Sequence, residues 1–196
     1  MPREYIGQNP TAFQRRPHLT KDDAWIRGFL RTVKVGRVAT TVDGQPFINT
    51  SIFWYDEAGH QIVFHSNLAG RIRSNIEYNP RVAFAADELG QMLPSNVALE
   101  FSLQYRSVNV FGAARVVTDR EEAKRLLYGL ISKYFPTLKP GQEYREVTDK
   151  ELRATSVYAI KIEEWSGKEN WDEQAEQSDE WKPLDEKWFE YYRKNS

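Results

Sequence analysis

Apolar residues recur every third or fourth position in three stretches of this chain and every second position in most of the rest, so it reads as short strands punctuated by helices. The first helical stretch opens near Thr20 with Asp22 and Asp23 in its first turn, buries Ile26, Phe29, Leu30 and Val33, and ends at Gly36. In the second, residues 68–78, Leu68, Ile72 and Ile76 stand four apart; Ser66 or Asn67 is placed to cap it and Pro80 must stop it. The third follows Thr118-Asp119-Arg120-Glu121-Glu122, which has capping-box spacing, and carries Ala123, Leu126, Leu127, Leu130, Ile131 and Tyr134 up to Pro136.

Between these helices the pattern predicts strands at 35–42 and 46–55, joined by Asp43-Gly44, a dipeptide suited to a tight hairpin. A turn at Glu57-Ala58-Gly59 leads to a third strand at 62–66, and the three are expected to form a meander. Further strands are predicted at 81–86, 97–103, 106–117 and 157–162, with a polar loop at 139–150. Six or more short strands at this spacing point to a closed or nearly closed antiparallel barrel, which removes exposed edges. Residues 1–19 form an aperiodic arm, 20–168 one domain, and 169–196 an acidic tail. Trp171, Trp181, Trp188 and Phe189 in that tail are expected to anchor it on its own barrel or on a partner subunit.

Composition mostly excludes. The 196 residues suit one domain with a substantial core, and the net charge of −1 gives no general pull toward nucleic acid. Without cysteine there are no disulfides, thiolate metal sites or thiol nucleophiles. A polar start and no long apolar run suggest a cytoplasmic protein without membrane segments, so the sequon Asn49-Thr50-Ser51 reads as chance. Neither a Gly-x-Ser-x-Gly elbow nor a phosphate-binding Walker loop nor a dinucleotide fingerprint is present.

The chemistry concentrates in residues 62–84. Ser66, Arg71, Arg73 and Ser74 gather at the start of the predicted second helix, where unpaired amides and fork-shaped guanidinium donors suit a phosphate. A solvated basic helix is the alternative on the local pattern. His65 precedes Ser66 and could bind an anion or supply a proton, or simply pack at the barrel rim. His18 and His60 are weaker candidates, and three scattered histidines make no metal site.

The ordered run Val35-Gly36-Arg37-Val38-Ala39-Thr40, Asp43-Gly44-Gln45-Pro46, Phe64-His65-Ser66, Gly70-Arg71, Asn79-Pro80-Arg81-Val82 and Tyr105-Arg106-Ser107-Val108 resembles the FMN-binding split barrels of the pyridoxamine 5′-phosphate oxidase superfamily. Within that superfamily it is most similar to nitroimidazole-resistance and flavin-nucleotide-binding proteins. The resemblance implies a mainly β fold with helices, a six- to seven-stranded antiparallel split β-barrel, in a homodimer with FMN at the interface. It places the phosphate on Ser66, Gly70, Arg71 and Arg73, and the ring near Asn49, Thr50, Ser51 and Ile52 with Arg37 and Thr40 beside them. Tyr105, Arg106 and Ser107 would reach the partner's flavin, and Trp165 and Lys168 would approach the cofactor from the last strand. In related resistance proteins a histidine at the position of His65 faces the substrate. The implied activity is an FMN-dependent oxidoreductase acting on a small molecule such as a nitro-aromatic, with NAD(P)H or another reductant as donor. A carrier or redox sensor, or a split barrel holding haem or deazaflavin, is the alternative. The tail lacks the Arg and His motif associated with pyridoxamine phosphate oxidation itself.

Overall fold

A computed structural model describes residues 7–195. One antiparallel sheet of eight strands curls into a half-open barrel, in the order β3-β2-β6-β7-β8-β5-β4 with β1 added to β8. The strands are β1 (Thr20–Lys21), β2 (Val35–Val42), β3 (Gln45–Ile52), β4 (Trp54–Asp56), β5 (Gln61–Asn67), β6 (Arg81–Leu93), β7 (Ser102–Val116) and β8 (Thr155–Asn170). The helices are α1 (Asp23–Thr32), α2 (Arg71–Tyr78), α3 (Arg120–Tyr134), α4 (Asp149–Ala154) and α5 (Glu186–Lys194). The fold is therefore a mainly β split barrel with flanking helices. No helix among the described residues is long and apolar enough to cross a membrane.

Two apolar clusters follow from strand alternation. Val38, Ile62, Phe64, Phe84, Val108, Val110, Tyr158 and Ile160 fill the barrel with the buried faces of α1 and α2. Val63, Val157 and Ala159, on the opposite face of the same strands, pack under Ala123 and Leu126 of α3.

The structure departs from the expected elements where tertiary contacts override local pattern. Residues 46–55 are not one strand: the chain breaks at buried Phe53, sending β3 and β4 to opposite edges of the sheet. No meander forms, because β5 pairs with β4 and β8. The strand expected at 97–103 is instead loop up to Phe101, and β6 runs on to Leu93. In α1 the cap is Asp22, whose carboxylate accepts from Trp25 N–H, and the helix ends at Thr32, before Gly36. Leu68 lies outside α2 and is exposed, so only Ile72 and Ile76 of the expected stripe are buried, with Asn75 between them.

β8 extends well past 162, and α4 replaces part of the polar loop, held by a capping box between Thr148 and Glu151. The tail is hydrogen-bonded to the β6–β7 hairpin. Gln104 and Gln91 donate to the carbonyls of Asp172 and Glu173, and Ser95 donates to that of Glu176 at 2.6 Å. Of its tryptophans, Trp171 lies against the Arg106 guanidinium at 4.0 Å, whereas Trp181 is largely exposed.

Candidate functional site

At the barrel mouth near Ser66, β5 ends and the chain turns into α2. Asn67 Oδ1 accepts from Ala69 N–H there, and Gly70 is the residue before the helix. Neither Ser66 nor Asn67 caps α2; no side chain does. By contrast Asp22, Asp119, Thr148 and Asp185 each cap their helix with a side-chain oxygen. The first-turn amides of α2 are thus left as donors at the positive end of the helix.

Arg71 stands at this end. Its Nε donates to Asn75 Oδ1 at 3.3 Å, its guanidinium lies 5.9 Å from the Phe47 ring, and it makes no ion pair among the described residues. Arg73 is more committed, donating to Glu77 at 2.8 Å and to Ser156 Oγ at 3.0 Å. Ser66 Oγ shares a hydrogen bond with the buried Tyr158 hydroxyl at 3.0 Å, and its register partner on β8 is Ser156. Ser66, Arg71 and Arg73 therefore meet at one corner, joined by Phe47, Asn75, Ser156 and Tyr158, which the sequence reading did not select. Asn75 had a signal, a polar side chain inside an apolar helical stripe; Ser156 and Tyr158 needed the strand register.

Alternation splits the other expected ring contacts. On β3, Asn49 and Ser51 share the face of Phe47, while Thr50 and Ile52 point to the outer face. The cross-strand partners of Thr50 and Ile52 are Arg37 and Val35, and Arg37 in turn pairs across to Ala85. Arg37 is ion-paired to Asp87, whose partner on β7 is Ser107. Thr50, Ile52, Arg37 and Ser107 thus form one outer surface, about 10 Å along β3 from Phe47 at the rise of an extended strand. Tyr105 shares the Ser107 face by the same alternation.

The remaining candidates lie elsewhere. Thr40 is 1% exposed and accepts from Asn75 Nδ2 at 2.8 Å, so its hydroxyl belongs to the core. Arg106 is held by Glu169 at 2.7 Å and by Glu88. Trp165 is nine residues along β8 from Ser156, about 30 Å at strand rise. Its indole donates to Asp23 and packs among Arg27, Tyr55 and His60. Lys168 pairs in register with Thr20 and Ser107, so among these four only Lys168 borders the outer surface.

His65 faces away from Ser66. It alternates with Val63 and pairs with Val157, both in the cluster under α3. Its Nδ1 is buried without a hydrogen-bond partner, and burial lowers its pKa, so the imidazole is neutral at physiological pH.

Residues 22–169 match the family model described as pyridoxamine 5′-phosphate oxidase. No curated protein matches the sequence significantly. Among solved structures, the flavocytochrome Anf3 from Azotobacter vinelandii is similar at 24% identity and a TM-score of 0.76, over 88% of this chain and 78% of that one. A FAD and heme binding protein from Mycobacterium smegmatis is similar at 25% identity and a TM-score of 0.72, over 83% and 82%. A candidate 5-nitroimidazole antibiotic resistance protein from Bacteroides thetaiotaomicron aligns at 17% identity and a TM-score of 0.63, over 76% and 85%. With three quarters of its length inside the matched region and a split barrel to go with it, the chain belongs to the pyridoxamine 5′-phosphate oxidase family.

Proposed function

We propose that this protein binds a flavin, with FMN as the form that suits its anion corner, and acts as an oxidoreductase on a small molecule. One observation carries the reading: α2 is the described α-helix without a side-chain cap, and Arg71, unpaired with any described carboxylate, stands at that end. Such a corner has donors to spare for a phosphate. The family supports a flavin, and so do the flavocytochrome and the FAD and heme binding protein among its structural relatives.

When bound, the flavin supplies the hydride or electron transfer. In this reading Arg71 and the α2 amides hold the phosphate, while Ser66 and Arg73 complete the corner through Tyr158 and Ser156. The outer surface of Arg37, Thr50, Ile52 and Ser107 orients the ring, and a second copy of the chain closes over it as a homodimer. Ile48 and Ile52, exposed on the edge strand β3, favour such a cover. His65 points into the cluster under α3, on the opposite face of β5 from this corner, so the reading gives its imidazole no contact with the flavin phosphate.

The test is the absorption spectrum of the purified protein, followed by release and identification of the ligand and by light scattering. A flavin spectrum with FMN released from a dimer is expected. A protein that is colourless and fails to quench FMN fluorescence would overturn the reading, and a Soret band would replace or add haem. Reduction by NAD(P)H, or by another donor, separates the enzyme from a carrier. Bound FMN that no donor reduces at a useful rate would leave a carrier or sensor.

A further inference from the structure

Away from the flavin corner, the tail borders an open apolar cleft. Two adjoining cavities, about 290 and 220 Å³, lie between α5 and the β6–β7 hairpin and share Pro94, Phe101 and Tyr192. Pro94, Phe101 and Leu103 form one wall, and Leu184, Trp188 and Tyr192 the other. We propose that this cleft is a binding site for an uncharged aromatic molecule of one to three rings, independent of the flavin.

Four observations carry it. Trp188 and Tyr192 stand four apart on one face of α5, Leu184 precedes its cap Asp185, and all three line the cleft, while the charged Glu186, Lys187, Glu190 and Arg193 do not. Across the cleft Phe101 and Trp188 keep 60% and 44% of their surface exposed, apolar ring area that a bound ligand would cover. No charged side chain lines either cavity, so a charged ligand would lose its hydration without a partner. Among the described residues, Ser102 and Tyr192 are the only lining ones with hydroxyl side chains, and Phe101, Trp188 and Tyr192 supply rings for stacking. Each space is at or below the small end of ligand pockets, which suits a ligand of few rings.

The protein as purified, with its cofactor, is titrated with N-phenyl-1-naphthylamine, an uncharged two-ring fluorophore with a third phenyl ring. Saturable binding at one site per chain is expected, with energy transfer from tryptophan. Trp188→Ala and Phe101→Ala are each expected to weaken it by about tenfold. Leu103→Trp, which fills the cleft without opening it, should block binding while the thermal midpoint is kept, so a poorly folded alanine variant would not leave the question open. The anionic 1-anilinonaphthalene-8-sulfonate is expected to bind at least about tenfold more weakly. Non-saturable binding, or binding unaffected by Leu103→Trp and either alanine variant, would overturn the proposal. So would a change in oligomeric state in the same variants, which would make the cleft a contact between copies of the chain.

Discussion

The Tyr134 hydroxyl lies 3.0 Å from both the backbone nitrogen and the carbonyl oxygen of Phe53, the residue at which β3 gives way to β4. Phe53 N–H donates to it, and its own proton is directed to the carbonyl of Phe53 or of Lys34, the latter 2.5 Å away. One phenol at the end of α3 therefore satisfies the backbone where the sheet splits, as Phe53 packs edge-on to Phe84 inside the barrel. Tyr134→Phe keeps the ring and removes the oxygen. It is expected to cost about 1–3 kcal/mol, the range for leaving buried polar groups unpaired. Urea denaturation with an unchanged slope, and faster hydrogen exchange at the Phe53 amide, would show it. Unaltered exchange there would mean that the split is held by side-chain packing alone.

The split itself was not legible in the sequence. Phe53 continues the alternation of β3, and nothing local marks it as the residue where the strand leaves its sheet neighbour. Val97, Leu99 and Phe101 alternate as a strand would, yet Leu99 is 90% exposed and the segment is a loop, with Val97 N–H donating to Ser95 Oγ rather than to a sheet neighbour. α5 was not legible because it is short and strongly polar overall, and its narrow apolar face has meaning only against the hairpin. The α3 periodicity was legible because it depends on contacts close in sequence, and Ser66, Arg71 and Arg73 were legible as neighbours along the chain, whereas their joining through Tyr158 and Ser156 depends on the register of β5 on β8. Thr40 was misplaced for the opposite reason: its face depends on strand parity, and the structure turns it inward to Asn75.

Arg71 carries the sharpest consequence of the flavin reading. Arg71→Ala is expected to weaken FMN by about 1.5–3 kcal/mol, the range for a hydrogen bond to a charged group, and riboflavin much less. Fluorescence-quenching titrations with both ligands measure the difference. Equal losses would remove Arg71 from the phosphate site. Because Arg71 also touches Asn75, the thermal midpoint of the apo variant is the control for a purely structural effect.

Lys133 is expected to make stability rise with alkalinity. Its ammonium is within 3.5 Å of the Phe53 ring centre and donates to the Leu30 carbonyl at 3.0 Å, and burial pushes its pKa down to about 7 from 10.5. Between those values the unfolded chain binds more protons than the folded one, so unfolding becomes harder as pH rises through that window and the gain is complete above it. Denaturation at pH near 7 and near 10 should show the increase in the wild type and its loss in Lys133→Met. A wild-type curve that is flat or falling over the window, with no difference from the variant, would show that the ring and the helix-end carbonyl offset the desolvation.

Asn96 ties the tail to the barrel with one side chain. Its Nδ2 donates to the carbonyls of Ser178 at 2.8 Å and Lys182 at 3.2 Å, and its Oδ1 accepts from Ser178 N–H at 2.9 Å. Its backbone N–H donates to Gln177 Oε1 at 3.0 Å, a bond that a substitution keeps. Asn96→Ala therefore removes three bonds worth about 0.5–1.5 kcal/mol each in net terms, part of which water replaces. Among the described residues, no strand of the sheet comes from the tail after Asn170, so its release is a local opening rather than a loss of the barrel. Limited proteolysis should cut the variant between 172 and 185 about tenfold faster, with a thermal midpoint close to that of the wild type. An unchanged cleavage rate would shift the anchoring to Ser95 and Gln177, whose bonds to the Glu176 and Pro94 carbonyls would then be sufficient on their own.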